Sequence, residues 1–183
     1  MALQIARSAA GAGYPTLVVE LEMSNEQLGM RSIAAKSRID LSRLRVGYLY
    51  NNDWQTISNS AAELSALKII VDDDAGINNA KLRRKIKQSV KKHGTKLVVI
   101  DYLQLMDFDS RGSRLDIEIG RVTKGLKAMG KELGFCTLLL SQLNRKLEER
   151  HDKRPMLSDL RESGNIEQDS DVVMFIYRDE IYN

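Results

Sequence analysis

Residues 96–106, KLVVIDYLQLM, decide the fold class, because they place an acidic residue directly after a short apolar run. Residues 97–100 are four consecutive apolar residues, three of them β-branched, which is typical of a strand buried on both faces. Asp101 then stands where this strand leaves the sheet. A lone aspartate there is most often a turn residue, but ligands of open α/β sheets also bind at the carboxyl ends of strands. The rest of the chain decides between these two interpretations.

Strands and helices alternate along the sequence on both sides of this stretch. Apolar runs of strand length lie at 16–21, 68–71, 97–100, 135–141 and 171–177. Helical patterns lie at 2–10, 24–37, after Asp40, at 53–67, 79–92 and 115–133. Ser24 is a good N-cap for the second helix, with Gln27 three residues later. This alternation predicts an α/β fold with a doubly wound, mainly parallel sheet flanked by helices on both faces.

Length and composition favour one ordinary globular domain of 183 residues, with 43% hydrophobic residues, 29% charged residues and a net charge of +3. The net charge is too small to indicate a polyanionic partner. The single cysteine, Cys136, lies in an apolar run and is expected to be an inert, buried thiol in a reducing compartment. No apolar stretch approaches the roughly 18 residues of a membrane span, and the first residues lack the pattern of a signal peptide. We therefore expect a cytoplasmic protein without a membrane partner.

Polar residues recur at the ends of the predicted strands, at Glu20 and Glu22, at Asp101, and at Ser141 and Gln142. In a doubly wound sheet these ends can meet at one edge, where a nucleotide and Mg²⁺ can bind. A carboxylate after an apolar strand can bind Mg²⁺ through water, and a second one can deprotonate an attacking water. A glutamine at the next strand end can donate to the terminal phosphate. Together these positions favour a nucleotide hydrolase.

A phosphate-binding loop of the pattern G-x-x-x-x-G-K-[ST] should accompany such a site. Residues 125–131, GLKAMGK, match seven positions, but Glu132 stands where Ser or Thr is required. The match also falls inside the most periodic helix rather than between a strand and a helix. We interpret it as a chance match.

Three charged segments have a structural and a functional interpretation. The basic run at 81–96 carries an apolar stripe, which favours the solvated face of a core-packed helix over a nucleic-acid site. The mixed charges at 145–154 indicate an exposed, mobile loop. Residues 161–164, RESG, are either a helix end with a glycine cap or a turn whose N–H groups face an anion.

Four blocks of the sequence resemble replicative DNA helicases of the DnaB type. They cover nearly the whole chain in the family's order, and the last is long enough to be highly specific. The blocks are LEMS at 21–24 with Gln27, Leu28 and Arg31, VVIDYLQLM at 98–106, LSQLNR at 140–145, and DKRPMLSDLRESGNIEQDSDVVMFIYRDE at 152–180. The resemblance implies the RecA-like motor domain of a ring-shaped hexamer that hydrolyses ATP and translocates on single-stranded DNA.

The resemblance also implies roles for individual residues. Glu22 would be the catalytic carboxylate that activates water, and Arg31 would be the family's arginine beside it. Asp101 would be the Mg²⁺ ligand, acting through water, and Gln142 the sensor near the γ-phosphate. The loop that touches the DNA backbone would contain Arg161, Glu162 and Gly164.

By the same resemblance, residues 1–183 are expected to be a partial motor domain. The family's P-loop would precede residue 1, its arginine finger would follow residue 183, and an N-terminal domain that binds primase would be absent. Primase and the helicase loader would then bind through parts mostly outside these residues, and the isolated chain would not hydrolyse ATP. Two alternatives remain open, namely another RecA-like ATPase of recombination or repair, and a non-hydrolysing remnant that binds DNA or subunits.

Overall fold

The fold is described by a computed structural model that covers residues 1–108 and 115–181, with the backbone alone at 161–165 and 181. Four strands form the sheet: β1 (Thr16–Glu20), β2 (Ile69–Asp72), β3 (Leu97–Asp101) and β4 (Cys136–Leu139). The α-helices are α1 (Ala2–Gly11), α2 (Asn25–Ser37), α3 (Leu41–Val46), α4 (Asn51–Ser65), α5 (Asn79–His93), α6 (Leu115–Leu133) and α7 (Gly164–Asp169). Short 3₁₀-helices span Leu103–Leu105, Arg145–Glu149, Leu157–Ser163 and Asp179–Ile181.

The sheet is parallel throughout, with the strand order β2-β1-β3-β4. Alternate residues of β3 face opposite sides of the sheet. Val98 and Ile100 pack with α5 and α6 in the larger hydrophobic core, whereas Leu97 and Val99 pack with α1 and α2 in the smaller one. These contacts confirm the predicted parallel sheet with helices on both faces. They also explain why β3 is apolar without alternation, since both of its faces are buried.

The helix ends follow from local chemistry. Ser24 accepts a hydrogen bond from the backbone N–H of Gln27, and Asp40 accepts bonds from the backbone of the first turn of α3. Both were predicted as N-caps, and both are confirmed. Gly94 ends α5 with φ +68°, a left-handed conformation that glycine adopts without steric cost. The basic charges of α5 lie on its solvated face, because Leu82 and Ile86 are fully buried.

The false phosphate-loop match has a structural explanation. Residues 125–131 lie inside α6, as the periodicity predicted. A Cβ atom on Gly130 would stand 2.9 Å from the carbonyl oxygen of Phe135, and the N–H groups of Gly134 and Phe135 both donate to the Gly130 carbonyl. Gly130 therefore permits the close turn between α6 and β4.

Three sequence expectations are wrong. Residues 171–177 form no strand, although Val172, Met174 and Ile176 alternate as a strand would, because no described backbone ladder pairs with them. Cys136 is exposed rather than buried, since it begins β4 at the side of the sheet. The segment 145–154 is not a free loop, because it contains a 3₁₀-helix whose Leu147 is buried.

Candidate active site

The carboxyl ends of β1 and β3 place two carboxyl groups beside each other. Glu20 and Asp101 are paired positions in the ladder between these strands, and the N–H of Leu21 donates to the Asp101 carbonyl oxygen at 2.8 Å. Asp101 is half-buried, whereas Glu20 is only 2% exposed. Parallel strands lie about 4.8 Å apart, so the spacing of the two residues is set by the sheet itself.

Glu22 lies in the turn that joins β1 to α2, and its side chain is exposed. One oxygen of Glu20, Oε1, accepts the backbone N–H groups of Glu22 at 3.4 Å and of Met23 at 3.3 Å. The Ser24 cap then fixes the entry to α2. The two hydrogen bonds to Glu20 thus fix the backbone of this turn, and Glu22 lies exposed on the turn at the edge of the sheet.

The charges around Asp101 show which groups lie near it. Burial and then the negative charge of Glu22 raise the pKa of Asp101, while the α-amino group of Met1 and the guanidinium of Arg31 act to lower it. Glu22 and Arg31, which the sequence had singled out separately, therefore lie within electrostatic range of Asp101 at this edge. An acidic pair beside one cation is suited to binding a metal ion and activating water.

The amino-terminal end of α1 lies near this edge, since residue 1 is within electrostatic range of Asp101. This helix spans the ten residues Ala2–Gly11 and begins directly after Met1. A helix begins with free N–H donors and a partial positive charge, both of which favour an anion. The edge therefore offers acidic groups for a cation beside donors for an anion.

Gln142 lies at the end of the next strand. It is exposed, and its backbone is bound by the side chain of Gln104. Gln142 thus extends the row of strand ends formed by β1, β3 and β4, as predicted. The shared edge of a parallel sheet explains why residues so distant in sequence lie in one row.

The donor set fits Mg²⁺ bound mainly through water. Within residues 1–108 and 115–181, no group of three His, Cys, Asp or Glu side chains could hold a metal ion by itself. Mg²⁺ commonly keeps several waters and takes one or two carboxylates together with substrate phosphates. Asp101, half-buried and ionisable, matches that requirement.

The sequence-predicted DNA loop is placed only by its backbone. The side chains of Arg161 and Glu162 lie outside what the structure describes, and Gly164 is likewise placed only by its backbone. Their backbone is helical, with a 3₁₀-helix that ends at Ser163 and α7 beginning at Gly164, so the expected glycine cap or open turn is wrong. Immediately before them, buried Asp159 accepts two hydrogen bonds from Arg150, at 3.0 and 2.9 Å, which fixes the start of this segment.

Sequence reasoning missed two site residues. Glu20 was noted as part of a polar strand end but received no role, although a glutamate inside the apolar run TLVVE is itself an unusual signal. Gln104 was quoted in the deciding stretch without a role. Its partners lie 37 and 38 residues away, so no local pattern could identify them.

No helix within the described residues is long and apolar enough to cross a membrane.

The sequence of this chain matches one family of known proteins. Residues 1–183 match the DnaB-like helicase C terminal domain. The replicative DNA helicase DnaB of Buchnera aphidicola subsp. Acyrthosiphon pisum (strain APS) is 46% identical over 171 residues, which cover 92% of this chain and 37% of that protein. DnaB of Pasteurella multocida (strain Pm70) is 46% identical over 173 residues, with the same coverage. The chain thus spans about 37% of the length of these relatives.

Solved structures that resemble this fold support the same family. A solved structure described as an ATPase domain superposes with a TM-score of 0.94 at 34% identity, covering 100% of this chain and 66% of that one. A structure described as a DnaB-like replicative helicase and its interactions with primase gives a TM-score of 0.92 at 33% identity, covering 100% and 45%. The fold is therefore RecA-like, and the chain belongs to the DnaB-like helicase C-terminal domain family.

Proposed function

We propose that residues 1–183 form part of the motor of a replicative DNA helicase, which uses ATP and Mg²⁺ to move along single-stranded DNA and unwind the duplex. The observation that carries this proposal is the meeting of Glu22, Arg31 and Asp101 at the carboxyl edge of a parallel sheet, beside the start of α1. The sequence of the matched relatives supports a helicase over a recombination or repair ATPase, since these relatives are replicative helicases at 46% identity.

Each residue has a distinct task in this proposal. Glu22 orients a water molecule and accepts its proton, because it is an exposed carboxylate on a turn held in place by Glu20. Asp101 holds the cation through water, and Mg²⁺ supplies the positive charge that neutralises the β- and γ-phosphates. Gln142 donates its side-chain amide to the γ-phosphate. Arg31 holds positive charge beside the two carboxylates.

DNA contact and assembly complete the proposal. A motor that moves along any sequence must bind phosphates rather than base edges. We assign this contact to Arg161, Glu162 and Gly164 in the central channel of a homo-hexamer. Primase and the helicase loader bind the same assembly through regions mostly outside residues 1–183, and the protein acts in the cytoplasm.

The test is Glu22→Gln in a full-length helicase carrying this sequence. The amide can still hold a water but cannot accept its proton, so hydrolysis should fall by about 10²–10⁴ while ATP binding is retained. Glu26→Gln is the matched control, because Glu26 is an exposed glutamate in the first turn of α2. It should leave hydrolysis unchanged.

Three results would contradict the proposal. Hydrolysis by Glu22→Gln at more than about a tenth of the parental rate would make Glu22 structural. If Glu22→Gln and Glu26→Gln lower the rate of ATP hydrolysis equally, the effect comes from removing a negative charge near the start of α2 and not from a specific role of Glu22. If the parental protein binds DNA but does not hydrolyse ATP, the chain is instead a DNA-binding ring component.

A further inference from the structure

The backbones of β3 and β4 separate just beyond the site. Ile100 and Leu139 are the last paired positions of the ladder, and the N–H of Leu140 still donates to the Ile100 carbonyl oxygen at 3.0 Å. The Leu103 N–H then donates to the Leu140 carbonyl oxygen at 3.0 Å, and the chain after β3 turns into the 3₁₀-helix Leu103–Leu105. No backbone of β3 therefore remains to pair with Gln142.

The side chain of Gln104 takes the place of that missing backbone. Its Oε1 accepts the N–H of Gln142 at 3.1 Å, and its Nε2 donates to the Gln142 carbonyl oxygen at 3.4 Å. Nε2 also donates to the hydroxyl of Ser141 at 2.8 Å. A primary amide offers one acceptor and two donors, so it can serve both backbone groups of a residue as a neighbouring strand would.

The base of this contact is rigid. Leu103, next to Gln104, is fully buried in the larger core, so the amide projects from an anchored 3₁₀-helix. Gln142 itself is exposed and has no burial to fix it. The Gln142 N–H is bound by Gln104, and the Gln142 carbonyl oxygen accepts from Gln104 and also from the Ser141 hydroxyl at 3.4 Å. The orientation of the Gln142 backbone thus depends chiefly on its two contacts with Gln104.

We propose that Gln104 is a positioning residue that fixes the Gln142 backbone to the strand end carrying Asp101, so that the Gln142 side chain is held ready for the γ-phosphate. This inference rests on the proposed function for its catalytic consequence, but the contact itself does not. A displacement of about 1 Å in a positioning group can lower a rate by about 10²-fold, so a looser Gln142 should slow the chemical step.

The first test measures the contact alone, by amide hydrogen exchange on the 183-residue chain. Gln104→Met keeps the length of the side chain and removes its polar atoms, so exchange at the Gln142 amide should accelerate by about five- to tenfold, the loss of one hydrogen bond. Gln104→Glu keeps an acceptor for this N–H and should retain most of the protection. The Leu140 amide, which bonds to Ile100, should stay protected in both variants.

The second test measures ATP hydrolysis in a full-length helicase carrying this sequence. Gln104→Met should lower kcat by about tenfold or more with KM for ATP nearly unchanged, because substrate binding does not require the sensor to be aligned. Gln88→Met is the matched control on the exposed face of α5, and it should leave both constants unchanged.

The outcomes separate this inference from the proposed function. Unchanged exchange at Gln142 in Gln104→Met overturns the inference, whatever the activity. Faster exchange with normal kcat also overturns it, provided that Gln142→Ala is inactive. If Gln142→Ala retains full hydrolysis, the sensor role of Gln142 fails, and with it the catalytic part of the inference.

Discussion

Glu20 and Asp101 are paired positions at the ends of two neighbouring parallel strands, but Asp101 is partly exposed to solvent whereas Glu20 is buried. Glu20 is 2% exposed, and its Oε2 has no hydrogen-bond partner among the described residues. Burial first, and then the charge of Asp101, raise the pKa of Glu20, although the N–H groups of Glu22 and Met23 lower it in part. Glu20, like Asp101, therefore has a raised pKa and resists ionisation, and Glu20 is the more deeply buried of the two.

A pH profile of stability should reveal this resistance. Because the folded pKa of Glu20 lies above its unfolded value of 4.5, its contribution to stability is fully present below that value and is lost as the pH rises through the folded pKa. Glu20→Gln keeps the Oε1 acceptor and cannot ionise. Its free energy of unfolding should therefore fall less than that of the parent as the pH rises from 4.5, as measured by urea unfolding. Parallel profiles would contradict this, and Glu26→Gln is the control.

Two glycine substitutions should have opposite effects on stability. Gly130→Ala places a Cβ 2.9 Å from a backbone oxygen that cannot move freely, so it should lower the free energy of unfolding by about 1–3 kcal/mol. Gly29→Ala, inside α2 with nothing within 4 Å, should raise it by about 0.5–1 kcal/mol through helix propensity. Thermal unfolding measures both. A stabilised Gly130→Ala would mean that the turn after α6 relaxes.

Removal of Asp159 should destabilise the segment before the proposed DNA contact. Asp159 accepts the Arg150 guanidinium and the Met156 N–H while only 8% exposed. Asp159→Ala should lower the free energy of unfolding by about 2–4 kcal/mol, less than for a fully buried pair because the Arg150 side chain is 28% exposed.

The control is Asp171→Ala, which removes a surface ion pair with Lys127 whose aspartate is 84% exposed. It should change stability by less than about 1 kcal/mol. If urea unfolding shows the same decrease in the free energy of unfolding for Asp159→Ala and Asp171→Ala, the Asp159–Arg150 pair stabilises the fold no more than a surface ion pair does.

DNA binding should separate the two basic regions. In the hexameric parent, Arg161→Ala should weaken binding to single strands of any sequence and reduce DNA-stimulated hydrolysis. The double variant Arg84→Ala and Lys91→Ala, on the solvated face of α5, should do much less. Each phosphate that the protein no longer neutralises should lower the log–log salt slope of binding by about 0.7. A greater reduction of affinity in the α5 variant would assign the DNA contact to that helix instead.

Local patterns predicted most of the fold. Residues 97–100 are apolar because both faces of β3 are buried, and helices α5 and α6 carry apolar stripes because each lies against one face of the sheet. The meeting of Glu22 and Asp101 was predictable for a general reason, since parallel strands share one carboxyl edge. Their individual roles came from the resemblance to known helicases rather than from the pattern.

The sequence predictions that were wrong or incomplete have a common cause. Each depends on residues that are distant in the sequence and that a local pattern does not show. Residues 171–177 have the alternation of a strand, but a strand requires a neighbour to accept its hydrogen bonds. Cys136 sits in an apolar run, yet its exposure depends on where β4 lies in the sheet. Gln104 resembles an ordinary surface residue until Gln142, 38 residues later, folds beside it.

The hydrogen bond from the Asn144 N–H to the Asp159 carbonyl oxygen, at 3.0 Å, shortens the path between two distant parts of the chain. Asn144 lies two residues after Gln142, and Asp159 lies two residues before Arg161. A shift of the backbone at Asn144 must therefore either move the 3₁₀-helix Leu157–Ser163 with it or break this bond. In the proposed function, this hydrogen bond joins the segment of the γ-phosphate sensor Gln142 to the segment of the DNA contact Arg161.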